Sequence, residues 1–188
     1  MKNLIACGIF KTELETILRD RTDIIVHWID AALHADPDKM EEELATAIDS
    51  IPSKGDDIVF LFGNGCHPDI CTIAGNCGVD LFEEKNCIHA FLGVTQTKEL
   101  EKERTMIISP GWLEAWQGIN DRLGWDEVDV RINMGRYDRI LILDPGIEPI
   151  SDEAILEFYD LVQVPVEIMA ITLDCFREFV AKTIGEAM

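Results

Sequence analysis

The sequence predicts an α/β fold: one doubly wound, Rossmann-like domain over residues 1–188 with a mainly parallel sheet. Three observations carry this. Short β-branched and apolar runs alternate with segments of helical periodicity, which is the pattern of successive βαβ units. The runs at 58–62 (IVFLF) and 139–143 (RILIL) are almost continuously apolar rather than alternating, as in strands covered on both faces. Finally, 188 residues with 47% hydrophobic content can bury a substantial core without disulfide staples. A central sheet of about four to six strands with helices on both faces is the expectation.

Taken in order, residues 3–7 form a first strand ending at Gly8, and Thr12 with Glu15 resembles a capping box for a helix to about Leu18. Residues 23–27 are a second strand. The loop WIDAALHADPDKM then leads to a helix in which Pro37 suits the first turn and Met40, Leu44, Ala47 and Ile48 share a face. Residues 51–55 read as a turn, and 58–62 as the third strand, ending at Gly63-Asn64-Gly65-Cys66. A short helix at 68–77, an acidic turn at 83–86, an element at 87–92 and a polar helix at 95–103 follow. Residues 106–108 form a strand broken by Pro110-Gly111, and 112–123 a helix with Trp112, Trp116 and Ile119 on one face. The 139–143 strand stops at Asp144-Pro145-Gly146. Ser151 caps the next helix, 166–173 is the last strand, and Asp174 caps the terminal helix.

Charge narrows the partners. Sixteen Lys and Arg face 36 Asp and Glu, a net charge of −20, so the chain repels polyanions. Neither nucleic acid nor an anionic membrane is an expected partner; a small-molecule or cofactor ligand is. No segment reaches the ~18–20 uninterrupted apolar residues of a membrane span, and the N-terminus lacks the features of a secretion signal. A cytoplasmic location is therefore expected, where thiols stay reduced. Six cysteines there argue for metal, redox or catalytic use, or for simple burial.

The reactive residues concentrate at 57–93, which holds Cys66, Cys71, Cys77 and Cys87 together with His67 and His89. Their spacing, C-x4-C-x5-C-x9-C-x-H, matches neither zinc-finger pairs nor ferredoxin patterns. No C-x-x-C or P-loop occurs, and Gly63-x-Gly65 lacks the third glycine of a dinucleotide fingerprint. Position is more informative. In doubly wound sheets ligands bind at the carboxyl ends of strands, where the alternation places Cys7, His34, Cys66, His67, Asp144 and Asp174, with Glu13 in the following helical turn. Cys7, Cys71 and Cys77 suit packing, because free cysteine is often buried as a small hydrophobe. Cys66 follows a glycine-rich turn built for close approach, and of the alternate pair Cys87 and His89 the thiol is favoured. His34, in a polar loop, is a better ligand candidate than His27, which lies within a strand. The three tryptophans Trp112, Trp116 and Trp125 could line a flat cofactor but suit a core stripe better.

These landmarks together resemble a known family. Ala6-Cys7-Gly8 with Glu13, Leu33-His34 before Pro37, Phe62-Gly63-Asn64-Gly65-Cys66, Asn86-Cys87-Ile88 with Leu92-Gly93, and Pro110-Gly111-Trp112 are similar to those of the domain of unknown function 1638 family. Phe62-Gly63 and His67 stand where that family usually has Tyr-Gly and glycine. The family occurs in methanogenic archaea and anaerobic bacteria, often encoded near corrinoid-dependent methyltransferases. The resemblance implies His34, Cys66 and Cys87 as metal ligands, with zinc the natural ion for two thiolates and an imidazole. It implies Glu13 as the nearby catalytic carboxylate; Gly63, Gly65 and His67, around the turn that carries Cys66, are the expected cofactor-binding residues. It also implies a role in or beside corrinoid-linked methyl transfer and one-carbon metabolism, with a corrinoid or other metal cofactor, a corrinoid protein or a methyltransferase as partner. A zinc-bound substrate thiol would accept the methyl group. The reading from another class is a non-catalytic cofactor-binding or thiol redox-sensing module.

Overall fold

The computed structural model describes residues 1–52, 58–79, 81 and 86–186. The expected turn at 51–55 and acidic turn at 83–86 fall mostly outside these residues. The described residues alternate strand and helix in the manner of a Rossmann-like α/β fold, and every strand pairing is parallel. The six strands do not form one central sheet, however. They divide into two three-stranded sheets, which corrects the expectation of four to six strands in a single sheet.

The first sheet has the order β2 (Ile24–Ile29), β1 (Lys2–Cys7), β3 (Ile58–Leu61), so β1 is central. Its register runs from Lys2 opposite Ile24 to Cys7 opposite Ile29. Between the strands lie a 3-10 turn, Gly8–Phe10, with α1 (Lys11–Leu18), then a second 3-10 segment, Ala31–Ala35, with α2 (Pro37–Ser50). Pro37 occupies the first turn of α2, where its missing N–H costs nothing, and Asp36 caps it through Lys39 N–H. Thr12 does not cap α1: the helix begins after Phe10, with no side-chain cap.

The second sheet has the order β4 (Thr105–Ile108), β5 (Arg139–Asp144), β6 (Val166–Ala170). Helices α5 (Pro110–Leu123) and α6 (Glu127–Met134) connect β4 to β5, and α7 (Asp152–Val162) connects β5 to β6. Ser151 caps α7 as its sequence suggests, and Ser109, just before the break at Pro110-Gly111, caps α5. The capping-box pair Asp126 and Asp129 starts α6, a helix the apolar pattern alone does not announce. Helix α3 (Ile70–Asn76) follows β3. Helix α4 (Cys87–Glu101) merges the two elements expected at 87–92 and 95–103 across a break at Gly93, whose φ of 72° suits glycine.

Three apolar clusters hold these parts together. One lies on the outer face of the first sheet, between Ile5, Phe60, α2 and α3. Another surrounds Ile140, Ile142 and Phe158, with Trp112 and Trp116 packed edge-on to Phe158 at 6.0 and 5.4 Å. That contact makes the tryptophans a core stripe rather than a cofactor platform. The third includes Leu4 and Leu61 of the first sheet and Leu143 of the second. At its centre Phe10, Phe91 and Phe176 stack with centroids 4.9 to 5.8 Å apart, joining the turn after β1 to α4 and to α8 (Asp174–Thr183). Each fully buried ring contributes about 1.5–3 kcal/mol.

Helix α5 brings the carboxyl ends of the two sheets together. Gly111, Ala115 and Gly118 lie at i, i+4 and i+7 and so share one face. A Cβ on Gly111 would stand 2.3 Å from the Ile9 carbonyl oxygen, and one on Gly118 3.2 Å from the Ala32 side chain. Only glycine at Gly111 admits this backbone against the Gly8–Phe10 turn. The Arg122 guanidinium adds ion pairs of 3.3 Å to Asp30 and 3.8 Å to Asp36, half-exposed and therefore worth little alone.

Candidate functional site

Each strand of the first sheet delivers one reactive side chain at its carboxyl end. Cys7 is the last residue of β1, His34 lies in the 3-10 segment after β2, and Cys66 in the turn after β3. Cys87 joins them as the first residue of α4. All four line one cavity of about 80 Å³ whose other walls are mainly apolar, including Phe10, Phe62, Trp112 and Ile119. A volume of that order holds an ion with a small ligand or a few waters; it cannot enclose a corrinoid.

Local structure fixes each position. The Cys66 amide donates to the Gly63 carbonyl at 3.0 Å, closing the turn that carries the thiol. Asn86 caps α4, its Oδ1 accepting from His89 N–H at 3.1 Å, so Cys87 starts a helical turn. Because that segment is helical, Cys87 and His89 diverge: His89 lines a separate cleft with Cys175, Glu178 and Lys182. The sequence leaves strand and helix open here, and the helix turns the thiol toward the cavity.

Electrostatics keep the site neutral. Burial pushes the Cys7 thiol up to about 12, with a further upward push from Cys66 and Asp30 against a downward pull from the Ile9 amide. Cys87 is also driven well above the ordinary thiol range, first by burial and then by Cys66 and Cys7, despite its own amide and that of Ile88. Cys66 moves the same way through burial. His34, at the exposed rim of the cavity, is lowered by partial desolvation. The thiols therefore favour their neutral form, a bound cation would favour the thiolates, and the lowered His34 pKa keeps the imidazole available as a ligand. Among the described residues no three His, Cys, Asp or Glu groups stand in position to hold a metal ion as placed.

The remaining candidates separate from this cavity. Glu13 lines a neighbouring one with Glu114, so it does not complete the thiol set; Cys7, which the sequence assigns to packing, stands there instead. Its position at the end of the central strand is the signal, outweighed in sequence by the ordinary tendency of cysteine to be buried. His67 is buried and committed: Asp69 N–H donates to its Nδ1 at 3.0 Å, and its Nε2 donates to the Pro37 carbonyl at 3.0 Å. Both ring nitrogens are therefore used in tying the Cys66 turn to the start of α2, and His67 does not line the thiol cavity. Gly63 and Gly65 flank the turn without lining the cavity. Asp144 and Asp174 follow strands of the second sheet, close local turns through Gly146 N–H and the Thr172 hydroxyl, each at 2.8 Å, and do not line the thiol cavity. Cys71 and Cys175 are exposed and Cys77 lines a different cleft.

No helix among the described residues is long and apolar enough to cross a membrane. No curated protein and no solved structure matches the chain. Residues 28–180 match the family described as protein of unknown function (DUF1638), a span that takes in His34, Cys66, Cys87 and the Gly111 contact; the chain belongs to that family.

Proposed function

We propose that the protein is a metal-thiolate protein in which Cys7, Cys66, Cys87 and His34 hold one zinc ion, acting in or beside corrinoid-linked methyl transfer. The observation that supports it is the convergence of three thiols and an imidazole, one from each strand end and one from a helix start, on a single small cavity. The donor set suits zinc, which takes thiolate at ~2.3 Å and imidazole at ~2.0 Å in tetrahedral geometry. When bound, zinc lowers the pKa of a coordinated thiol and so supplies a nucleophile at neutral pH. His34 at the open rim is the ligand a substrate thiol would displace. The apolar side chains of Phe10, Phe62 and Trp112 line the cavity behind that opening. A corrinoid would remain on a partner protein, since the cavity has no room for it.

A redox-sensing reading draws on the same three thiols, which lie close enough to influence one another's charge. Burial weighs against it. A sensor thiol needs thiolate character and access to oxidant, whereas these are held protonated. Substituting Cys66→Ser or Cys87→Ser in protein purified without oxygen or chelator is expected to release about one equivalent of zinc with the far-ultraviolet circular dichroism unchanged, while Cys71→Ser retains it. Equal zinc content in all three variants and the parent protein would refute the metal reading and leave the sensor.

A further inference from the structure

A second cavity, of about 150 Å³, lies beside the thiol cavity, between α1, α5 and the segment that follows β5. It begins where β4 and β5 end, so it occupies the carboxyl edge of the second sheet, the usual position for a ligand in this class of fold. Three carboxylates line it: Glu13, Glu114 and Glu148, while no Lys, Arg or His does. Two of them, Glu114 and Glu148, are exposed. Glu13 is different. It is 1% exposed, and its Oε2 has no hydrogen-bond partner among the described residues.

An unpartnered carboxylate in such a place is costly unless a donor or a cation reaches it. Burial and the neighbouring Glu114 both raise the Glu13 pKa, so a cation that binds there competes with a proton. The remaining walls are apolar apart from Thr12 and Ser151, with Leu113, Ile147 and Pro110 prominent. Acidic groups above an apolar floor attract a cation with an aliphatic body and repel anions. Only one of the three carboxylates, Glu13, is buried, so a monovalent cation with N–H donors matches the site better than a divalent metal ion that needs several fixed oxygen ligands. The volume is below the ~300–1,000 Å³ of drug-sized pockets, which limits the occupant to a few heavy atoms.

We propose that this cavity binds a small aliphatic primary ammonium, its N–H groups donating to the Glu13 carboxylate and its alkyl chain lying against Leu113 and Ile147. The site is separate from the thiol cavity and does not depend on a metal there. Glu114 and Glu148 draw the cation inward, and Glu13 anchors it.

The full-length protein titrated with propylammonium chloride, followed by amide chemical shifts, tests this. Saturable binding to one site is expected, centred on Glu13, Leu113 and Ile147, with no saturable response to 1-propanol or to tetramethylammonium, which has no N–H. Glu13→Gln should weaken propylammonium binding at least ~10-fold, and Glu114→Gln, at an exposed position that tolerates change, about 3-fold. Lack of saturable propylammonium binding, equal response to tetramethylammonium, or unchanged affinity in Glu114→Gln would each overturn the proposal. The Glu114 variant keeps the test valid should Glu13→Gln fold poorly.

Discussion

Replacing Gly111 with alanine is expected to destabilise the protein by about 2 to 3 kcal/mol, the upper part of the range for overpacking a close contact. The sign is the informative part. Alanine inside a helix is ordinarily better than glycine by about 0.5–1 kcal/mol, but here the new Cβ would meet the Ile9 carbonyl oxygen at 2.3 Å and its carbon at 3.0 Å. Backbone cannot move aside as a side-chain tip can, so α5 or the Gly8–Phe10 turn must shift. Ile9, Phe10 and Trp112 all line the thiol cavity, and zinc affinity should fall with the stability. Gly75, in α3 with nothing within 4 Å of its hypothetical Cβ, supplies the control: alanine there should be neutral or stabilising. Urea unfolding of both variants measures this, and a Gly111→Ala protein as stable as the parent would mean that the close approach of α5 is not a constraint.

A second large effect concerns Glu13. Burial first, and then the charge of Glu114, raise its pKa from 4.5 to about 7 against the pull of its own amide. A carboxyl with a raised folded-state pKa binds its proton more tightly in the folded state. Its favourable contribution is therefore complete below about pH 4.5 and is lost as pH rises through about 7. At 1.36 kcal/mol for each tenfold change in proton affinity, the loss amounts to about 3 kcal/mol. Glu13→Gln stays neutral throughout, so its stability relative to the parent should rise between those two pH values and level off near pH 8. Denaturant midpoints from pH 4.5 to 8.5 measure the difference; a constant offset across that range would contradict the assignment.

Much of the fold is legible in the residues because local and global signals agree. Pro37, Ser109 and Ser151 start helices where their chemistry favours starting them, and the apolar runs at 58–61 and 139–144 are strands. The carboxyl-edge rule, applied to sequence position alone, brings Cys7, His34 and Cys66 together, and they share a cavity. It fails for Asp144 and Asp174 because it says which end of a strand a residue occupies, not which sheet that strand joins. The division into two sheets depends on strand pairings far apart in sequence, and no local pattern encodes those. Helix α6 escapes the apolar pattern because its start is set by the hydrogen bonds of Asp126 and Asp129, while Val128 and Ile132 face solvent and Val130 is buried. His67 resembles a ligand in sequence because it adjoins Cys66. Its two hydrogen bonds, one to a carbonyl 30 residues away, have no local signature. Position puts Glu13 near the carboxyl edge, and the packing of α5 gives it a cavity apart from the thiols.

The most direct test of the thiolate assignment is zinc K-edge X-ray absorption on protein purified without oxygen or chelator. The account predicts about three sulfur neighbours at ~2.3 Å and one nitrogen at ~2.0 Å around about one zinc per chain. Protein that carries no zinc under those conditions, or zinc bound by oxygen and nitrogen alone, would contradict it.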